Sequence, residues 1–251
     1  MTVAYFAEDG RLICTASGEM ELPEGAAFAR KVEDGAHAND IHYDLASDAV
    51  VSRQMVTLAA SRALIAYDVA DSLPISGLSG VGKLVINGSE VAVTADFYLT
   101  ASAGGVMSVE ATGAHRSNAL VITAVTRAEI EAHLHNQVDA QAGEVRKLFI
   151  TEVPGQEMTY LRKEAEARKY LDDQHPSAAN YPLLTAEAAA TNQEVANLAQ
   201  TVIANADAWA IAGAQIEALR VSAKDAISRA ESVAEMFDAA AVDWASIGQH
   251  Q

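Results

Sequence analysis

The chain has little cysteine, few basic residues and no long apolar run, and each shortage argues against a class of protein. Its single cysteine, Cys14, excludes an internal disulfide and a zinc site built from cysteines. Its 17 basic residues stand against 34 acidic ones, a formal net charge of −17, which argues against nucleic acid or an anionic membrane as partner. No apolar run reaches the ~18 residues that span a bilayer, and the N-terminus, MTVAYFAEDGR, does not resemble a signal peptide. We therefore expect a soluble acidic protein made in a reducing compartment.

Residue choice changes abruptly near Thr126, although the acidity is spread evenly along the chain. Most glycines and many short β-type runs come before this point, whereas alanine, glutamate and glutamine dominate after it. Of the 60 residues in 186–245, 21 are alanine, the best helix former. The sequence thus predicts an α+β fold, with an N-terminal β part and an all-α C-terminal part (residues 126–251).

Residues 1–53 are predicted to form a small β-hairpin unit. Residues 3–7 and 12–15 flank Asp9-Gly10, a pair that supplies the positive φ angles of a tight turn. Residues 41–45 and 50–53 form a second candidate hairpin. Because an isolated hairpin is marginal in water, we expect this unit to lean on a neighbour or on a partner chain.

Residues 54–125 are predicted to form an immunoglobulin-like β-sandwich. Short β-type runs, separated by glycine-containing turns, recur at the spacing typical of that fold. The predicted strands are 55–58, 63–67, 83–86, 91–94, 97–100, 106–110 and 120–125. The clearest turn is Asn87-Gly88, which predicts a hairpin between two of them. The cysteine and tryptophan pattern of antibody domains is missing.

The helical part opens with Thr126 and Glu129 in the spacing of a capping box. A charged helix is predicted over 158–171 and a short one after Tyr181. A second capping box is predicted at Thr191 and Glu194.

From Val195 apolar residues repeat every seven positions over six heptads without a proline, which favours a coiled coil. One helix over 195–240 would be roughly 69 Å long, more than the ~46 Å diameter of a compact globule, so we expect a homo-oligomer, with a trimer as one option. The alternative is an intrachain hairpin that turns near Gly213. The residues predicted to line the oligomer seam are Val195, Leu198, Val202, Asn205, Trp209, Ile216, Leu219, Val233 and Phe237.

Three features are candidates for binding or catalytic chemistry. Residues 77–84, GLSGVGKL, match a phosphate-binding loop until Leu84, which stands where Ser or Thr must hold magnesium, and a strand rather than a helix is predicted to follow. His133 and His135 point to different faces of a helix, which leaves a ring around an oligomer axis as their one metal-binding option. Cys14 is interpreted as a structural thiol. We expect no catalytic residue, cofactor or metal.

One stretch resembles a segment common in tail-module proteins of tailed bacteriophages. It is carried by VRKLFIT at 145–151, PGQEMTYLRKEAEA at 154–167 and YPLLTAE at 181–187, and in all covers roughly residues 127–241. The β part is also similar to the immunoglobulin-like modules of phage tail fibre and baseplate proteins. The resemblance implies a virion component and no chemistry.

Two functions follow as expectations. The first is a non-enzymatic structural protein of a phage virion, made in the host cytoplasm and assembled into the tail as a fibre or baseplate component, which binds copies of itself and other tail proteins. The second is a receptor- or glycan-binding module (or a head decoration protein) that uses the sandwich, for which Tyr67, Phe97 and Tyr98 are the available aromatic residues.

Overall fold

The protein is a mixed α+β molecule, as predicted. A computed structural model describes residues 2–17, 21–33, 40–94, 96–149 and 156–247. The chain divides into two compact units, Met1–Ile130 and Glu131–Gln251. Strands fill the first unit and helices the second, with 28% of residues in strands and 42% in helices.

The strands in chain order are β1 (Thr2–Phe6), β2 (Leu12–Ser17), β3 (Phe28–Val32), β4 (Ile41–Asp44), β5 (Ala49–Ser52), β6 (Gln54–Val56), β7 (Ala59–Ala60), β8 (Leu64–Ala66), β9 (Leu73–Ser76), β10 (Lys83–Ile86), β11 (Ser89–Ala92), β12 (Phe97–Leu99), β13 (Gly105–Thr112), β14 (His115–Ser117) and β15 (Leu120–Val125). The α-helices are α1 (Arg127–Lys147), α2 (Gln156–Asp172), α3 (Pro182–Thr191), α4 (Val195–Arg229) and α5 (Val233–Ala240).

Both hairpins predicted near the N-terminus are present. Strands β1 and β2 pair across the Asp9-Gly10 turn, and β4 pairs with β5. Gly10 has a φ of +81°, and a Cβ there would overlap the carbonyl oxygen of Tyr43. The Tyr43 N–H in turn donates to the Gly10 carbonyl at 3.1 Å. Only glycine therefore fits where the two hairpins meet. The sequence did not reveal β3, which pairs with β1, because Arg30 and Lys31 hide its alternation.

The sandwich has the topology of an immunoglobulin-like fold. One sheet has the order β12-β9-β7 and the other β11-β10-β13-β15-β8. Lettered as in that fold, β7, β9 and β12 are strands A, B and E, while β10, β13 and β15 are C, F and G. The hairpin predicted at Asn87-Gly88 joins β10 to β11 with positive φ at both residues.

Apolar residues on alternate positions of these strands form the sandwich core. In β13, Met107, Val109 and Ala111 are buried while Val106 and Glu110 face outwards, as a period of two requires. Strand β9 was not predicted because it contains Pro74. The proline fits because β7 pairs only with Ser76 and Ile75, so that Pro74 has β12 alone beside it.

The helical part starts where its capping box predicts. Glu129 N–H donates to Thr126 Oγ1 at 3.2 Å, and Thr126 N–H donates to Glu129 Oε2 at 2.8 Å. The Thr126 N–H and the Thr126 hydroxyl, which also donates to Glu129 Oε2 at 2.8 Å, hold the pKa of Glu129 below its ordinary value. The second capping box is wrong: Thr191 ends α3 and donates its hydroxyl to the Glu187 carbonyl, Asn192 takes the left-handed conformation, and Glu194 precedes α4 without a side-chain cap.

Candidate interaction surface

Helix α4 carries most of the predicted seam, and its course corrects the prediction. It runs for 35 residues through Gly213, so the hairpin alternative is wrong. It also ends at Arg229, before the heptad repeat does. The reason lies at Ser232, whose Oγ accepts the Glu235 N–H at 3.2 Å and so caps a new helix, α5.

The nine seam residues do not share one environment. Leu198, Ile216 and Val233 are buried inside the monomer, whereas Asn205 is exposed. The half-buried members are Val195, Val202, Trp209, Leu219 and Phe237. Eight of the nine seam residues are therefore buried or half-buried within the chain. The role of the seam between chains stays a prediction.

The N-terminal half of α4 is covered by α2 and α3. Leu198 and Ala199 form an apolar cluster with Ala167 of α2 and with Tyr181 and Leu184 around the start of α3. This half of the seam therefore belongs to the core of the helical unit.

Two buried polar groups fix α3 in this arrangement. The Glu166 carboxylate, 8% exposed, accepts the backbone N–H groups of Leu183 and Leu184 at 2.9 and 3.2 Å. A residue of α2 thus serves as the N-cap of α3, whose own first residue is a proline. Tyr181 donates its hydroxyl to Asp173 Oδ2 at 2.7 Å, and this bond raises the pKa of Tyr181 to about 12.

The C-terminal half of α4 is tied to α1 by ion pairs. Asp139 accepts Lys224 Nζ at 2.6 Å and Arg220 Nη1 at 2.7 Å, and Arg146 donates to Glu217 at 2.8 Å. The two cations, Lys224 first, hold the pKa of Asp139 below its ordinary value. These ion pairs determine which side of the C-terminal half of α4 faces α1.

A second heptad frame on α4 faces solvent. Ile211 is 59% exposed and Val221 is 51% exposed. From residue 204 to residue 225, every position of the heptad frame that contains them is exposed, at alternating intervals of three and four residues. We call these residues the outer stripe: Ala204, Asp207, Ile211, Ala214, Ala218, Val221 and Asp225. In the sequence the outer stripe is a second, alanine-rich heptad repeat. The first repeat has larger apolar residues, so the sequence predicted the seam there and not at the outer stripe.

Phe149, which follows α1, lies 6.4 Å from Trp209 of α4 between ring centroids. Other exposed apolar side chains lie near the start of α2, where Met158 and Leu161 are 80% and 63% exposed.

Arg168 pairs with Asp207 of the outer stripe. We define the outer patch as Ile211, Ala214, Ala218 and Val221 of α4, the members of the outer stripe between Asp207 and Asp225, all of which are exposed.

The arrangement closest to a nucleophile and its base lies at the other end of α4. Ser228 Oγ is 3.3 Å from His135 Nε2 and 2.7 Å from Glu131 Oε1. His135 Nε2 also lies 3.1 Å from the Lys224 carbonyl, which can only accept. This nitrogen therefore carries the proton and cannot take one from Ser228, so the pair does not have the geometry of an activated serine.

The other candidate sites lie in structural settings. Lys83 and Leu84 are in strand β10, as expected: Leu84 is buried, and Lys83 Nζ pairs with Asp9 and Glu90. Cys14 is half-buried in β2. Among the residues that the structure describes, no group of three or more His, Cys, Asp or Glu side chains is arranged to hold a metal ion.

For the glycan-binding alternative, Tyr98 is the one exposed aromatic of its three, at 57%. Tyr67 and Phe97 pack against the sandwich core. None of the helices in the described ranges is long and apolar enough to cross a membrane.

Part of the phage-like segment, residues 150–155, falls outside the described residues. Compared with protein families, curated proteins and solved structures, the chain shows no significant match to any of them.

Proposed function

We propose that this chain is a non-enzymatic structural protein of a tailed-phage virion, a fibre or baseplate component of the tail, whose helical unit associates with other protein chains. The observation that carries this proposal is the outer patch. Large apolar side chains on a packed helix, such as Ile211 and Val221 at 59% and 51% exposure, are typical of surfaces that another protein covers.

The order of the helices supports the same role. The apolar side chains of the outer patch are not on a frayed end, because α2 and α4 are held by the cluster around Leu198 and by the Arg168–Asp207 pair. The patch is thus a preformed surface, which lowers the entropy cost of binding. The resemblance of residues 127–241 to phage tail modules points to a phage tail as the assembly in which such a surface is used. The immunoglobulin-like topology agrees with the modules that the β part resembles.

Labelling of particles tests the proposal. Antibodies raised against the chain should bind the tails of particles released from the source culture, as seen by immuno-electron microscopy. Mass spectrometry of the purified particles should find the chain in several copies. Particles that lack the chain, while it is present in the producing cells, would contradict a virion role.

A further inference from the structure

The first unit has two parts, the N-terminal strands β1 to β5 and the sandwich of β6 to β15, and each part has its own apolar cluster. Phe6 and Tyr43 belong to the cluster of the N-terminal strands, and Val109 and Ile122 belong to that of the sandwich. Among the described residues, these two clusters have no member in common. Polar contacts join the two parts.

Ion pairs lie at two places between these parts. Lys83 Nζ of β10 is 3.3 Å from Asp9 Oδ2 in the turn between β1 and β2, and Arg116 of β14 pairs with Asp40, just before β4. Each of these four side chains is more than a third exposed, so each pair contributes little by itself.

Arg53 connects the two parts, between β5 and β6. Its N–H donates to the Asp40 carbonyl at 2.7 Å, and its Nε donates to the His115 carbonyl at 3.0 Å. His115 is 8% exposed, and its ring lies so close to a sandwich loop that a Cβ on Gly80 would be 3.2 Å from Nε2. The guanidinium of Arg53 thus lies against the backbone of a buried histidine where the two parts meet.

His42 brings an imidazole close to Arg53. In the register of β4 and β5 it is opposite Val51, two residues before Arg53, so His42 and Arg53 are diagonal neighbours on one face of the strand pair. Its ring also packs against the turn between β1 and β2, because a Cβ on Gly10 would lie 2.9 Å from Cε1. The side chain is half-buried, and a proton on it adds a positive charge next to the Arg53 guanidinium. We call the surface between the two parts the junction, with Asp9, Asp40, His42 and Arg53 on one side and Lys83, His115 and Arg116 on the other.

We propose that the junction is an acid-sensitive switch, in which a proton taken up by His42 releases the N-terminal strands from the sandwich while both parts stay folded. The proposal goes beyond the virion role and does not depend on it.

The charges that face His42 give the switch its direction. Burial lowers the pKa of His42 most, Arg53 and His115 lower it as well, and Asp9 and Asp44 oppose them, so that it lies below 6.5. Separation of the parts returns the ring to water and to its ordinary pKa, and the open form therefore binds the proton more tightly than the closed form. The closed form keeps its full advantage above pH 6.5 and loses it as the pH falls through the closed-state pKa of His42.

A distance measurement across the junction tests the proposal in the full chain. Nitroxide labels on Ala46→Cys and Val106→Cys, both at exposed positions, are introduced in a Cys14→Ser background and measured by pulsed electron resonance. One narrow distance distribution is expected at pH 7.5, and at pH 5.0 the fraction of distances outside it should rise several-fold. Hydrogen exchange of β1 and β13, corrected for its intrinsic pH dependence, should stay slow at both pH values, since each part keeps its own core.

Two substitutions at His42 separate the trigger from the rest of the fold. His42→Gln cannot take up a proton, so its distance distribution should be the same at both pH values, whereas His42→Lys is charged throughout and should give the broad distribution already at pH 7.5. The matched control is His133→Gln, exposed on α1, which should respond like the wild type.

A wild-type distribution that is unchanged at pH 5.0, or a change that persists in His42→Gln, would overturn the inference. Faster exchange in β1 or β13 that accompanies the distance change would also overturn it, because acid would then unfold a part rather than release it.

Discussion

The sandwich and the helical unit differ in what decides which of their apolar side chains are covered. In strand β13, every second residue enters one continuous core and the others face outwards. In helix α4, Ile216 is fully buried while Ile211 remains 59% exposed. A strand has only two faces, and its partners decide which is inside. A 35-residue helix has several, and the short helices α2, α3 and α5 cover only some of them. Which face of α4 stays exposed is therefore set by the helices packed against it.

The largest expected effect is on the buried face of α4. Ile216→Asp places an unpaired carboxylate where the side chain is fully buried, and we expect a loss of about 5 kcal/mol in the free energy of unfolding of the helical unit. Urea unfolding followed by circular dichroism measures it. The control is Ile211→Asp on the exposed face, which should cost less than about 1 kcal/mol. Equal losses at the two positions would show that the two faces are not distinct.

A polar group inside the sandwich should matter almost as much. Asp71 and Arg62 form an ion pair in which both side chains are 5% exposed, and Asp71 also accepts the Ala66 N–H at 2.8 Å. Asp71→Asn leaves Arg62 charged in this site, and we expect a loss of about 3–4 kcal/mol. Hydrogen exchange of the backbone around Ala66 should quicken in parallel. Asp225→Asn, which breaks the exposed pair with Arg229, should cost about 0.5 kcal/mol or less.

The cap that α2 provides for α3 should have an intermediate effect. Glu166→Gln keeps an oxygen at this position but removes the charge that faces two N–H groups at a helix start. We expect a loss of about 1–2 kcal/mol in urea unfolding. Glu164→Gln, on the same helix but paired at the surface with Arg168, should lose only about 0.3–0.5 kcal/mol. If the two variants are indistinguishable, Glu166 does not act as a cap.

The smallest expected effect is a difference between the two units in the pH at which their stability falls. Burial, followed by the charge of Arg53, holds the pKa of His42 below 6.5, while Asp9 and Asp44 oppose this shift and His115 adds to it. The unfolded chain thus binds more protons at this position, so the stability that neutral His42 provides is present above pH 6.5 and is lost as the pH falls through its folded pKa. The helical unit should lose its Asp139 contribution only at lower pH, because the pKa of that carboxyl lies below 3.8.

Unfolding midpoints between pH 7 and pH 5 check this difference. His42→Gln should flatten the dependence of the first unit, and His133→Gln, on an exposed part of α1, should leave it unchanged. A flat wild-type profile over this range would contradict the role of His42.

Local rules predicted the structure where two or three neighbouring residues decide it. Asn87-Gly88 can only form a tight turn, and Thr126 and Glu129 satisfy each other's backbone N–H groups whatever surrounds them. Thr191 and Glu194 have the same spacing, but there the end of α3 already uses the threonine hydroxyl. The outer patch depends on which side of α4 the ion pairs from Asp139 occupy. That choice is tertiary, so a heptad pattern alone could not distinguish the covered frame from the exposed one.

The parallel strand pairs of the sandwich also determine how early it can fold during synthesis. Strand β8 pairs with β15, and β6 pairs with β14, so the first strands of the sandwich bond to its last. Contacts this distant in sequence slow folding. On a ribosome that adds 5–20 residues per second, β8 waits about 3–12 s for β15 to be made. The hairpins of β1 to β5 need no such wait, because their partners are close in sequence. A newly made chain thus carries unpaired sandwich strands for seconds, the interval in which chaperones would have to act on it.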